Sequence, residues 1–206
     1  MAALTERGRA VLLLEEAVGY GLGSVEAVTP ARLRGPTPCA GWDLERLLWH
    51  LHESMAALRE ASDRGGVALL PAGPGGPPPA DPVAAVRDGA GELLESWRCW
   101  AARPGPSCAP VAVGGMPIPG ETVALVGALE VAVHGWDVAQ ACGRARPIPA
   151  PLALAILRRA PQVADAGTRP ALFAAPVPVP PHACAGDRLV AFLGRPPDRV
   201  PPDPAA

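Results

Sequence analysis

Residues 129–139, LEVAVHGWDVA, place a glutamate and a histidine four residues apart in an otherwise apolar segment. A helix that is apolar on nearly every side is buried, and an ionised carboxylate inside it needs a pairing charge, hydrogen bonds or a cation. The spacing puts the side chains of Glu130 and His134 on one helix face, with their Cβ atoms about 5–6 Å apart. That separation suits two ligands of one metal ion better than a direct contact. The alternative is a hydrogen-bonded or ion-paired core pair, which many helices contain.

A metal site of this kind needs a third ligand, and the sequence offers two histidines on another predicted helix. Apolar side chains between residues 43 and 62 form a stripe at helical spacing. His50 and His52 flank this stripe at similar angles on opposite sides, so the periodicity does not choose between them. Glu53 faces nearly away from the stripe, which is typical of a solvated surface residue.

Hydrophobic periodicity predicts four long helices and little strand. Thr5 and Asp43 are suitable N-caps, Asp81 followed by Pro82 is a typical helix start, and Gly143 is suited to end the fourth helix. The predicted long helices are residues 4–28, 43–62, 83–102 and 121–142, with shorter helices at 150–165 and 187–193.

Segments rich in proline and glycine separate these helices. Residues 65–80 predict an exposed loop, which their composition also allows to be disordered, and residues 104–120 predict a loop or a small hairpin. Residues 167–206 predict a mostly extended tail with one short helix. The expected architecture is an antiparallel helical bundle in a single domain, residues 1–206, with ligand sites between facing helices.

Composition excludes several classes of function. The net charge is −2 and the arginines are scattered, so no nucleic-acid partner is expected. No segment approaches the roughly 20 uninterrupted apolar residues that span a bilayer, and no signal peptide is evident, so we expect a cytoplasmic protein without a membrane partner. The five cysteines form no CxxC pair, which favours reduced thiols. Cys39 stands just before a helix, where a thiol pKa can be lowered, but structural burial is the favoured interpretation. Either a monomer or a homodimer is compatible with the sequence.

Three segments, in order along the chain, resemble one known family. Residues 37–54, TPCAGWDLERLLWHLHES, resemble the first signature of the mycothiol-dependent maleylpyruvate isomerase N-terminal family, which lies within the DinB-like superfamily of four-helix metalloproteins. Residues 129–144, LEVAVHGWDVAQACGR, resemble its second signature. Residues 187–198, DRLVAFLGRPPD, are similar to the ending of its smaller actinobacterial members.

The resemblance implies an all-α, DinB-like four-helix bundle with extra C-terminal helices and a proline-rich tail. It also implies that His50, Glu130 and His134 are the metal ligands. Zinc is the usual expectation for two imidazoles and one carboxylate with an open fourth position, and nickel or iron would accept the same ligands. Other residues at family positions are candidates for the pocket wall or for support of the ligands: Trp42, Asp43, Trp136 and Asp137.

The function that the resemblance implies is metal-dependent chemistry on a small electrophilic substrate, an isomerisation or a thiol transfer. The open metal position would activate a thiol, a water or a substrate carbonyl, and mycothiol is a possible co-substrate. Three alternatives remain open. They are a biosynthetic enzyme that uses the metal as a Lewis acid without mycothiol, a non-catalytic metal-binding or stress-response module, and a bundle that has lost its metal.

Overall fold

The computed structural model describes residues 5–68, 79–104, 110–144, 146–165, 167 and 169–198. Within these residues the chain is mostly helical, and four helices of 20 to 22 residues form its main body. They are α1 (Glu6–Val25), α2 (Leu44–Arg64), α3 (Pro82–Ala102) and α4 (Gly120–Ala141).

The ends of these helices follow the local chemistry of the sequence. Thr5 accepts a hydrogen bond from the Gly8 amide, and the Asp43 side chain accepts one from the Arg46 amide. Asp81 caps α3 in the same way, so the three predicted N-caps are confirmed. Gly65, with a φ of 70°, ends α2 in the left-handed conformation that glycine adopts without strain.

Pairwise packing of the long helices forms the core. α1 packs against α4 and α3, and α2 packs against α3 and α4. α4 is buried on almost every side. By length and composition alone α4 could cross a membrane, but most of its apolar stretch is buried inside the fold, as in the core helix of a globular domain.

A small sheet departs from the all-α prediction. Its strands are β1 (Gly66–Val67), β2 (Pro110–Val113) and β3 (Met116–Pro119), in the order β1-β2-β3. The β2–β3 pair is antiparallel, which confirms the small hairpin predicted within residues 104–120. β1 pairs parallel with β2, so residues 66–67 are not part of a loop as predicted. Residues 69–78 of that predicted loop lie outside the described part of the chain.

The C-terminal region is more broken than predicted. The helix expected at 150–165 is two helices, α5 (Ala150–Leu157) and α6 (Ala160–Val163). The physical reason is Pro161, which has no amide hydrogen to donate to the carbonyl oxygen four residues earlier, at Leu157, and whose ring clashes with that carbonyl in a continuous helix. The tail contains α8 (Ala185–Phe192) as expected, and also α7 (Arg169–Leu172), which was not predicted. α8 packs on α5.

Candidate metal centre

Helices α2 and α4 bring His50, Glu130 and His134 together. His50 Nε2 donates a hydrogen bond to Glu130 Oε1 at 2.8 Å, and His134 Nε2 lies 3.3 Å from the same oxygen. The donor atoms of all three residues lie within 4.8 Å of one another. His52 points elsewhere, with its Nδ1 atom 3.1 Å from the carbonyl oxygen of Ala85 on α3. The structure therefore separates the two histidines that the sequence pattern left equivalent.

The group is less buried than the apolar sequence of α4 suggested. The His50 and Glu130 side chains are 35% and 27% exposed to solvent, whereas the His134 side chain is 10% exposed. Glu130 therefore lies where α4 opens toward solvent, not deep in the core. One side of the site is open to a ligand from solution.

Ser54 on α2 supports the carboxylate. Its hydroxyl donates to Glu130 Oε1 at 3.1 Å and lies 3.5 Å from His50 Nε2. It is four residues after His50, so the two side chains share one face of α2. Ser54 was not predicted from the sequence, although its helical spacing from His50 was a signal that could have found it.

A second set of polar contacts holds the other nitrogen of His134. The Nδ1 atom lies 2.9 Å from Asp137 Oδ2. The same carboxylate accepts hydrogen bonds from the Cys39 thiol at 3.2 Å and from the Arg195 guanidinium at 2.8–3.1 Å. Asp137 is fully buried. Sequence reasoning missed Arg195 because its partner lies 58 residues away along the chain.

The remaining candidates occupy different places. The Trp42 ring meets the His50 ring edge-on at 4.8 Å between centroids and stacks on the His134 ring at 6.4 Å, so it borders the site. Trp136 is buried in the core. Asp43 caps α2 and pairs with Arg34, so its side-chain contacts serve the helix end and not the site.

Charge interactions fix the ionisation of these groups in the metal-free protein. Burial disfavours the Glu130 carboxylate, but the charge of His134 and hydrogen bonds from both histidines outweigh burial and hold the Glu130 pKa well below its ordinary value. Burial also opposes protonation of His134, yet Glu130 and Asp137 raise the pKa of His134 well above its ordinary value. Burial disfavours the Asp137 carboxylate too, but the charge of Arg195 together with hydrogen bonds from His134 and Arg195 outweighs burial and lowers the pKa of Asp137. Glu130 is therefore an anion, as a carboxyl group that binds a metal must be.

The donor set fits a divalent metal ion. Two imidazole nitrogens and one carboxylate oxygen are the protein ligands of a known class of catalytic zinc sites, which leave a further position for water or substrate. Among the described residues, no additional His, Cys, Asp or Glu side chain joins this group of three. Three protein ligands and a side open to solvent are both features of a catalytic zinc site.

One known protein family matches the part of the chain that contains these three residues. A family model described as the mycothiol maleylpyruvate isomerase N-terminal domain matches residues 14–139, more than half of the chain. The chain belongs to this family. The match confirms the family that the sequence resembles: it covers the first signature, residues 37–54, and most of the second, whereas residues 187–198 lie outside it. It places the chain among mycothiol-related, DinB-like metal-binding proteins. Comparison with curated proteins and with solved structures gave no match.

In this member of the family, Cys39, His134 and Asp137 form a second group of potential metal ligands. The Arg195 guanidinium, however, occupies both oxygens of Asp137 and lies 3.6 Å from Cys39 Sγ. A cation at this position would face the positive charge of Arg195 at close range. The first group, with His50 and Glu130, is therefore the better candidate for a metal.

Proposed function

We propose that this protein is a metal-dependent enzyme that binds zinc through His50, Glu130 and His134 and performs an isomerisation or a thiol transfer on a small electrophile. The observation that carries the proposal is the convergence of three donor atoms within 4.8 Å of one another on a side open to solvent. Family membership supports it, because it relates the chain to metal-binding, mycothiol-related proteins.

Each residue of the site has a defined task in this proposal. His50 and His134 offer neutral nitrogens, and Glu130 offers one negative charge. Trp42 forms an apolar wall beside both histidine rings. When bound, a zinc ion with three such ligands lowers the pKa of a bound thiol or water, or polarises a carbonyl.

Mycothiol is the proposed co-substrate, and the open side of the site is where its thiol would enter. Nickel or iron would accept the same three ligands as zinc. We propose a cytoplasmic protein, monomeric or homodimeric, that binds no nucleic acid and no membrane. A non-catalytic metal-binding module is less favoured, because a closed structural site has four protein ligands.

Metal analysis of the purified protein tests the first part of the proposal. We expect about one zinc per chain, and loss of tight zinc binding in His50→Ala, Glu130→Gln and His134→Ala. His52→Ala is the matched control, since its imidazole lies on the same helix but contacts Ala85. If the wild type binds no divalent metal, or if His52→Ala loses metal as fully as His50→Ala, the assignment of the site is wrong.

A cobalt-loaded sample tests the second part. Cobalt(II) replaces zinc in such sites and absorbs visible light, so a thiol that enters the metal's coordination shell changes the spectrum. We expect mycothiol to change the cobalt spectrum of the wild type. With a small electrophile it should be consumed if the reaction is a thiol transfer, and be regenerated if the reaction is an isomerisation. A spectrum unaffected by mycothiol, with cobalt bound, would exclude mycothiol as co-substrate and favour Lewis-acid chemistry on another substrate.

A further inference from the structure

Arg195 connects the C-terminal tail to the candidate metal centre. Its guanidinium donates to both oxygens of Asp137: Nε lies 2.9 Å from Oδ1 and 3.1 Å from Oδ2, and a terminal nitrogen lies 2.8 Å from Oδ2. The side chains of Arg195 and Asp137 are 15% and 0% exposed, so the pair is shielded from solvent. Two-point contacts of this kind fix the orientation of a carboxylate better than a lysine could.

The fixed carboxylate in turn holds His134. Asp137 Oδ2 accepts the Nδ1 hydrogen of His134 at 2.9 Å, which leaves Nε2 directed toward Glu130 and His50. In a neutral histidine one ring nitrogen carries a hydrogen and the other is free to bind a metal. A hydrogen-bond acceptor beside one nitrogen holds the hydrogen there and leaves the other nitrogen as the metal ligand. Asp137 therefore selects both the ring orientation and the nitrogen that faces the site.

The end of α8 places Arg195 for this contact. The Arg195 amide donates to the Val190 carbonyl oxygen at 2.9 Å, and a guanidinium nitrogen lies 3.5 Å from the Leu193 carbonyl oxygen. Gly194 has a φ of 86°, and a Cβ atom there would lie 2.5–2.9 Å from atoms of Ala174. The turn after α8 is therefore tied to the rest of the tail, and Arg195 is held in one place.

The family match ends at residue 139, so Arg195 lies outside the part of the chain that the family model covers. We propose that Arg195 is a positioning residue of the metal centre, and that the C-terminal tail completes the site by fixing Asp137 and, through it, His134. This inference rests on the proposed function, because it assumes that His134 Nε2 binds the metal. Arg195 acts through Asp137 and is not itself a ligand.

Zinc affinity, measured by competition with a chelating dye, tests the inference. Outer hydrogen-bond partners of metal-binding histidines typically contribute about 10–100-fold in affinity, so we expect Arg195→Ala to bind zinc about 10-fold more weakly than the wild type. Arg195→Lys keeps the charge without the two-point geometry and should lie between them. It also provides a folded variant if Arg195→Ala does not fold.

Arg169→Ala is the matched control. Arg169 also anchors the tail, through the carbonyl oxygens of Ala164, Ala174 and Phe192, so it supports the same turn as Arg195 but donates to these three acceptors and not to Asp137. We expect Arg169→Ala to lower the free energy of unfolding and to weaken zinc binding much less than Arg195→Ala does, because it removes no hydrogen bond to Asp137. Equal weakening of zinc binding by Arg169→Ala and Arg195→Ala would mean that tail packing in general matters, and would overturn the role assigned to Arg195.

Nitrogen-15 NMR of the His134 ring gives a readout that a loss of stability alone would not change. In the zinc-bound wild type we expect one slowly exchanging Nδ1 hydrogen, and in the zinc-bound Arg195→Ala variant faster exchange of that hydrogen. If the wild type binds zinc but the variant has the same affinity and the same exchange rate, the inference fails while the proposed function stands. If the wild type binds no zinc, the proposed function fails first.

Discussion

At the scale of single residues, one oxygen atom of Glu130 carries most of the contacts of the site. Oε1 accepts hydrogen bonds from His50 Nε2 at 2.8 Å and from the Ser54 hydroxyl at 3.1 Å, and His134 Nε2 lies 3.3 Å away. A histidine nitrogen that binds a metal carries no hydrogen, so neither Nε2 atom can donate to Glu130 in the metal-bound protein. Ser54 is then the donor that continues to hold the carboxylate.

We therefore predict that Ser54→Ala weakens zinc binding by about 10-fold, the lower end of the usual effect of outer partners of metal ligands. The change removes one hydrogen bond from a partly exposed group, so the free energy of unfolding of the metal-free protein should fall by no more than about 1 kcal/mol. Competition with a chelating dye measures the first quantity, and unfolding in urea measures the second.

Ser24→Ala is the control for the loss of a serine hydroxyl. Ser24 is a buried serine of α1 whose hydroxyl donates to the Tyr20 carbonyl oxygen. This variant should keep the zinc affinity of the wild type. Equal affinities for the wild type and Ser54→Ala would show that Ser54 does not hold Glu130 in the metal-bound state.

The sequence predicted part of this residue-scale picture. The spacing of Glu130 and His134 predicted that the two side chains share one helix face, and the structure confirms it. The phase of α2 relative to α4, which separates His50 from His52, depends on how the helices pack, and helical periodicity carries no information about it. The assignment of all three residues as ligands remains a prediction that the metal analysis will test.

At the scale of elements, two glycines lie at the close contact between α1 and α4. A Cβ atom on Gly135 would lie 2.9 Å from the Gly21 Cα atom, and a Cβ atom on Gly21 would lie 3.0 Å from a methyl carbon of Val131. The two helix backbones therefore approach each other directly beside His134. At Gly19, by contrast, an added Cβ atom would point into open space, with no other part of the fold within 4 Å.

This difference gives a paired prediction about stability. Gly135→Ala forces the backbones apart and should lower the free energy of unfolding by about 1–3 kcal/mol, the usual cost of overpacking. Gly19→Ala adds a side chain in open space on a helix and should raise the free energy of unfolding by about 0.5–1 kcal/mol. Urea unfolding of both variants of the metal-free protein measures the two shifts. A Gly135→Ala variant at least as stable as the wild type would contradict the close approach of α1 and α4.

The elements themselves were predictable where their signals are local. Caps at Thr5, Asp43 and Asp81 fixed three helix starts, because capping involves residues within one turn of the helix. The strand at Gly66–Val67 was missed, because its partner Ala112–Val113 is far along the chain and two residues give no alternation to recognise. Pro161 was a local signal for a helix break, and the prediction of one continuous helix passed over it.

At the scale of the whole molecule, a single tyrosine joins the helical body to the segment that leads to the C-terminal region. Tyr20 is the only tyrosine of the chain. It is 4% exposed, and its hydroxyl donates to the Arg146 carbonyl oxygen at 2.6 Å. Burial raises the pKa of Tyr20 above its ordinary value, against weaker opposing contributions from Ser24 and Arg146. Folding therefore keeps this phenol neutral.

The chain contains no lysine, so few groups titrate between the cysteine thiols and arginine, and the alkaline behaviour of Tyr20 can be observed directly. Above about pH 10 the unfolded chain loses the tyrosine proton while the folded chain keeps it, so the free energy of unfolding should fall by up to about 1.4 kcal/mol per pH unit. Urea unfolding between pH 9 and pH 12 measures this slope, and tyrosinate absorbance reports the ionisation itself. Tyr20→Phe is the control: it loses the hydrogen bond to Arg146 and should lack this part of the slope, while it keeps the contribution of the buried Cys142 thiol, whose pKa burial also raises. A tyrosinate signal that appears near pH 10 in the folded protein, or equal slopes for the wild type and Tyr20→Phe, would show that the Tyr20 hydroxyl is not buried against the segment after α4.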